Sequence, residues 1–219
     1  MNIVFVKVNT KYSNVDVNNI FRQLYKYRPN FNYYCYTDNI SDGANLDNQI
    51  TPIMIDPKLH LFKVWNKLYM FNENGPIKGQ IMYFDLDTII QSDPFGVIDS
   101  IDFTKLTMVK SHWKPEHLVR LTNYDVTVNS SVLAWDSSNT EIHQLWNHFI
   151  NSGQRDYFVK KYAGIDRYLV HENFNENLFD HFPTEYILSY KYEDHAKRAP
   201  VITFEELDFG SIDFKPLTQ

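Results

Sequence analysis

Residues 81–88 read Ile-Met-Tyr-Phe-Asp-Leu-Asp-Thr. An apolar run ends in two carboxylates, Asp85 and Asp87, spaced i, i+2. Successive side chains of a strand alternate faces, so this spacing predicts both carboxylates on one side. An uninterrupted apolar run marks a strand buried on both faces, hence one in the centre of a sheet. Two carboxylates at the end of such a strand offer hard oxygen ligands suited to Mg²⁺ or Mn²⁺. A metal so held commonly serves a phosphate group.

Working outward, the residues before the octapeptide alternate between strand and helix patterns. Residues 2–8 predict a strand, and 16–27 a helix carrying Val17, Ile20, Leu24 and Tyr27 at helical spacing. Arg28-Pro29-Asn30 stops that helix. Residues 31–37 predict a second strand and 50–55 a third, placed at an edge by Pro52; a polar loop, 38–48, lies between them. Residues 60–72 predict a helix with Leu61, Trp65, Leu68 and Phe71 on one face. This alternation implies βαβ units and a mostly parallel sheet. Ligands of such sheets bind beyond the carboxyl ends of the strands, which is where Asp85 and Asp87 fall.

Downstream, Asp93-Pro94-Phe95 reads as a turn, and 106–110 and 127–135 as strands. Ser138-x-x-Glu141 has the form of a capping box. It precedes an amphipathic helix carrying Ile142, Leu145, Trp146 and Phe149. Residues 164–173 predict a shorter helix. From Phe182 onward short strand-like runs alternate with turns. No repeat, low-complexity stretch or long linker divides the chain, so residues 1–219 read as one α/β domain.

The bulk properties narrow the function. The 219 residues suffice for one sizeable core, and 43% hydrophobic with 22% charged residues is a globular balance. The net charge of −6 and the lack of a basic stripe exclude a nucleic-acid-binding face. Lys160-Lys161, flanked by Arg155 and Arg167, reads as a solvated face. A single cysteine, Cys35, excludes an intrachain disulfide, and its apolar surroundings make it an inert buried thiol. No run approaches the roughly 18 apolar residues of a membrane span. The first residues carry no basic leader, which points to a cytoplasmic, reducing compartment.

Several segments, in order, resemble the GT-A nucleotide-sugar glycosyltransferases, specifically their family 8-like group. They are Lys63 to Leu68 before the metal strand, Tyr83 to Thr88 with its Asp-x-Asp, and Asp93-Pro94-Phe95 after it. Asn129 to Asp136 resembles the family's Asn-Ser-Gly strand, Gly164 to Leu169 its Asp-Gln helix, and Pro183 to Lys191 a late segment. The resemblance implies a GT-A-type Rossmann-like sheet flanked by helices. It implies transfer of a hexose to an acceptor hydroxyl, carbohydrate or other, with retained configuration. The cofactors implied are Mn²⁺ or Mg²⁺ and a nucleotide-sugar, UDP favoured over GDP.

By this resemblance Asp87 binds the metal directly and Asp85 bridges metal and ribose. Val8 and Asn9, with Asp38, match the nucleoside side, where a solvated loop is the alternative. Lys67, and less closely Lys63, match the basic position facing the diphosphate. Asn129 and Asp166 match polar residues facing the transferred sugar. Ser131 stands where the family has Gly. The family's closing His has no counterpart here: Glu205 follows the strand-like run 201–204, as a substitute oxygen ligand or as part of a helix over 204–207. Lys215-Pro216 matches the family's Lys-Pro. Ser111-His112-Trp113 lies beside the expected acceptor side. Two other readings stand beside this one. A haloacid-dehalogenase-type phosphatase would use Asp85 as nucleophile and Asp87 as general acid/base, with Glu193-Asp194 downstream. A nucleotide-sugar-binding module would lack turnover.

Overall fold

A computed structural model describes residues 1–39, 41, 45–59, 61–111, 128–162, 164–172, 174–189 and 199–203. His112, Trp113, Glu193, Asp194, Glu205, Lys215 and the helix expected over 204–207 lie outside the described residues.

Seven strands form the main sheet in the order β3 (Ile50–Met54), β2 (Asn32–Thr37), β1 (Asn2–Lys7), β4 (Gln80–Phe84), β7 (Val128–Asp136), β6 (Leu106–Lys110), β8 (Phe179–His181). The β3-β2-β1-β4 half is parallel throughout. β7 runs antiparallel to both β4 and β6, and β8 returns parallel to β6. The mostly parallel sheet expected from the alternating pattern is thus observed, with β4 at its middle and Pro52 on the edge strand β3. A second sheet joins β5 (Ile89–Ile90), β10 (Val201–Thr203) and β9 (Ile187–Ser189).

The alternation within β4 builds two cores, one on each face. Ile81 and Tyr83 enter the layer covered by α2 (Thr140–Asn151), α3 (Arg155–Tyr162), α4 (Ile165–His171) and a 3₁₀ helix, Lys63–Phe71. Met82 and Phe84 enter the layer covered by α1 (Asn14–Tyr25) and the small sheet. Burial on both faces explains why this stretch tolerates no polar residue until Asp85. Cys35 is buried in the second core, as its context predicts.

Four local expectations need correction. The element expected as an α-helix over 60–72 is the 3₁₀ helix. Trp65, Leu68 and Phe71 recur every three residues, a spacing that aligns them along a three-residue turn as well as along an α face. Lys63 opens it at φ 44°, a left-handed conformation costing on the order of 1 kcal/mol for a residue with a Cβ. The buried Asn66 amide holds that turn, donating to the Lys63 carbonyl at 2.8 Å and the Leu61 carbonyl at 3.3 Å. The cap of α2 is Asn139, not Ser138, with its side chain accepting from Glu141 N–H at 2.8 Å. Asp93-Pro94-Phe95 opens a 3₁₀ helix, Pro94–Ser100, instead of a simple turn. Finally, α3 has no counterpart in the pattern reading, since Phe158 and Tyr162 are its only buried residues. Lys160 and Lys161 lie exposed on it, the solvated face expected of them.

Candidate active site at the end of the central strand

The carboxyl ends of β1, β2 and β4 face the same way, and antiparallel β7 brings its amino end to join them. The ladder of β4 ends at Phe84. Residues 85–88 form a turn, closed by Thr88 N–H and Thr88 Oγ1 on the Asp85 carbonyl at 3.2 and 2.7 Å. The β4 ladder thus ends at the residue before the pair, and the two carboxylates take different partners.

Asp85 turns to the side of the 63–71 helix. Lys67 Nζ lies 2.7 Å from both of its carboxylate oxygens, and the Tyr83 hydroxyl donates to Oδ1. Asp85 N–H donates to the Ser131 carbonyl at 2.7 Å, tying the turn to β7. Asp87 instead meets the loop after β1. The Tyr12 hydroxyl donates to its Oδ2 at 2.6 Å, and Lys11 Nζ stands 3.8 Å from the same oxygen. The carboxylates still feel each other. Burial pushes the Asp85 carboxyl up, the Lys67 ammonium opposes that rise, and the charge of Asp87 adds to it. Burial and the adjoining carboxylates push the Tyr12 and Tyr83 hydroxyls up, so both remain protonated donors.

Of the other expected site residues, Asn9 and Asp38 lie in the loops after β1 and β2, and Asn129 and Asp166 lie at the β7 bulge. Asn9 follows β1 at φ 59°, where Asn is better tolerated than most residues, and donates its N–H to Asp38 Oδ2 at 2.8 Å. The loops after β1 and β2 are thereby joined, with Val8 half-buried beside them. Lys63 does not reach the carboxylates: it lies over the Phe62 ring, 5.0 Å from its centroid. On β7, Val109 pairs with Asn129 and Met108 with Leu133, so residues 130–132 bulge from the ladder. Two side chains satisfy the freed N–H groups. Asn129 Oδ1 accepts from Ser131 N–H at 2.8 Å, and Asp166 Oδ1 accepts from Ser130 N–H at 3.1 Å. Ser131, where the resemblance implies Gly, sits in this bulge.

Sequence patterns missed Tyr12, Tyr83 and Lys11. Tyr83 was legible: it stands two residues before Asp85, on the same face of the strand. Tyr12 was not, being 75 residues from its partner.

The donor chemistry fits a hard divalent cation, since two carboxylates meet at one turn. Among the described residues no group of three or more His, Cys, Asp or Glu side chains converges. An open groove of ≈ 620 Å³ lies elsewhere, lined by Gln80 at the start of β4 and Asp136 at the end of β7. It lies at the opposite end of these central strands.

No protein-family model and no curated protein sequence matches the chain. Solved structures do. The galactosyltransferase LgtC, solved with donor and acceptor sugar analogs, superimposes with TM-score 0.61 at 13% identity, covering 93% of this chain and 87% of that one. The glycosyltransferase GlyE of Streptococcus pneumoniae gives TM-score 0.65 at 13% identity, covering 98% of this chain and 57% of its own. Mouse xyloside xylosyltransferase 1 gives 0.56 at 11%, covering 92% and 97%. The fold is the GT-A type of glycosyltransferases. At these identities the likeness concerns the fold; no helix among the described residues is long and apolar enough to cross a membrane.

Proposed function

We propose that the chain is a metal-dependent glycosyltransferase of the family 8-like group. It moves a hexose from a nucleotide-sugar, UDP in preference to GDP, to an acceptor hydroxyl with retention of configuration. The observation that carries this reading is the placement of the Asp85–Asp87 turn. It lies at the carboxyl end of the central strand, with Lys67 against it and the Asn9–Asp38 pair in the loops after β1 and β2.

In this reading the turn holds Mn²⁺ or Mg²⁺, with Glu205 as the proposed further oxygen ligand. The cation neutralises charge that develops on the diphosphate leaving group. Lys67 adds a positive charge beside the diphosphate, and Lys215 is a second candidate there. Val8, Asn9 and Asp38 border the nucleoside. Asn129 and Asp166 shape the β7 bulge, presenting backbone to the sugar and retaining acceptor capacity toward its hydroxyls. The single buried cysteine suits a cytoplasmic setting.

Calorimetry with UDP, GDP and ADP, with and without Mn²⁺, tests the reading. Metal-dependent binding of UDP is expected, and Asp87→Asn should abolish it without altering the circular dichroism spectrum. Binding that ignores metal would sink the proposal. One observation favours the binding-module alternative: Asn129 and Asp166 each spend an oxygen on the backbone of β7. A donor-hydrolysis assay separates the two. The phosphatase alternative requires a free nucleophile, whereas both oxygens of Asp85 face Lys67; p-nitrophenyl phosphate should be left intact.

A further inference from the structure

Two short segments stand apart from a chain that is acidic as a whole. Residues 56–64 and α3 carry Lys58, Lys63, Arg155, Lys160 and Lys161 against Asp56 and Asp156, net +3 in a chain of net −6. Arg155 joins the two segments, its guanidinium donating to the Leu59 carbonyl. Lys58 and Lys160 are exposed and make no ion pair among the described residues.

The same segments expose apolar side chains. Of the four large apolar side chains most open to solvent among the described residues, three are here: Phe62 at 57%, Tyr157 at 53% and Val64 at 43%. Each aromatic ring lies under an ammonium, with Lys63 5.0 Å from the Phe62 centroid and Lys161 5.3 Å from that of Tyr157. Exposed apolar residues scattered singly mean little, whereas a group rimmed by charge marks a contact surface. The backbone is strained where it presents them. Lys63 holds its left-handed φ of 44° between Phe62 and Val64, and the Asn66 amide fixes it there. Strain of this kind persists where the surroundings over-determine it, and it clusters at functional positions. On α3 only Phe158 and Tyr162 are buried, so its outer side adds nothing to the core.

Lysines interleaved with exposed rings fit one kind of partner best. A bilayer containing anionic lipid offers negative headgroups to the lysines and, just beneath them, an apolar boundary to the rings. A soluble polyanion would match the charges and leave Phe62 and Val64 in water. We propose that this surface seats the chain peripherally on an anionic membrane. The 3₁₀ helix that carries Lys67 to Asp85 begins in the seat, with Val64 one turn before Lys67. The candidate site is thereby held close to the bilayer. The seat stands or falls independently of the reaction proposed above.

Sedimentation of the full chain with vesicles tests it, using phosphatidylcholine alone or with about 30% phosphatidylglycerol, at about 50 and 300 mM NaCl. Binding to the anionic vesicles should be roughly tenfold tighter than to the neutral ones, and should weaken with salt. Lys58→Ser and Lys160→Ser should each weaken it roughly fivefold. Lys78→Ser, at an exposed lysine just before β4, should change it less than about twofold. The double variant Phe62→Ser/Val64→Ser should weaken it roughly tenfold with an unchanged circular dichroism spectrum, since both side chains are exposed. Equal binding to neutral and anionic vesicles, an equal loss in Lys78→Ser, or no vesicle binding by the wild-type chain would overturn the proposal. So would binding to heparin, undiminished in the double variant and without vesicle binding, which would make a soluble polyanion the partner.

Discussion

Asp85 and Glu172 are assembled from the same parts, yet their carboxyls are pushed in opposite directions. Asp85 takes a hydroxyl from Tyr83 and an ammonium from Lys67. Glu172 takes a hydroxyl from Tyr162, has the Lys161 ammonium 3.6 Å away, and meets the His148 ring at 3.1 Å. Burial pushes the Asp85 carboxyl above its usual range despite Lys67. Burial pushes Glu172 up too, but Tyr162, His148 and Lys161 together outweigh it and bring that carboxyl below its usual range. Burial weighs most at Asp85, where the Asp87 charge adds to it, whereas three partners converge on Glu172 and outweigh its lesser burial. Lys67 and Tyr83 are 12% and 1% exposed, whereas His148 and Lys161 are 43% and 39% exposed. A carboxylate whose partners reach water stays ionised cheaply and ties α2, α3 and α4 together. One whose partners are buried forms an ion pair that the fold must hold in place.

The largest expected effect breaks the buried member of this comparison. Asp85→Ala leaves Lys67 without a counter-charge and Tyr83 without its acceptor, and should cost about 3 kcal/mol in urea denaturation. Glu172→Gln keeps shape and loses charge-assisted hydrogen bonds at a wetter site, so about 1–2 kcal/mol is expected in the same measurement. The comparison sharpens with pH. A folded carboxyl below its unfolded value contributes stability that is present above the unfolded value and lost as pH falls through the folded one. The stability gap between wild type and Glu172→Gln should therefore close as pH drops below about 4.5, the ordinary glutamate value. A gap that persists unchanged to pH 3 would contradict the staple role. Smallest of all, Lys161→Ala should leave the melting temperature unmoved, because its long, exposed contact is screened.

Much of the fold was legible because its signals are local. Apolar runs at 2–8, 31–37 and 79–84 could bury both faces only as inner strands, and Pro52 marked the edge strand. The 63–71 element was misjudged because a three-residue repeat of large side chains serves a 3₁₀ helix as well as an α-helix. α3 escaped notice because two buried aromatics in eight residues make a weak stripe. At the site, residue types were legible and partnerships were not. Asn129 and Asp166 stood out as polar residues matching the sugar side, but nothing in their neighbourhood announced that each would accept from the backbone of the β7 bulge. Tyr83 differs, since its spacing from Asp85 was there to be read, although its ring passes as one more apolar position.

The sequence alone placed two carboxylates at the carboxyl end of a central buried strand, because pattern and spacing within ten residues dictate that much. Only the tertiary structure decided that they face different partners. Lys67, Asp166 and Tyr12 reach the turn or its neighbouring bulge from partners 18, 36 and 75 positions away. Such contacts are set by the path of the whole chain around two cores, and by where the β4 ladder ends. That end, at Phe84, is what turns an i, i+2 pair into one carboxylate bound to a buried lysine and another bonded to the Tyr12 hydroxyl.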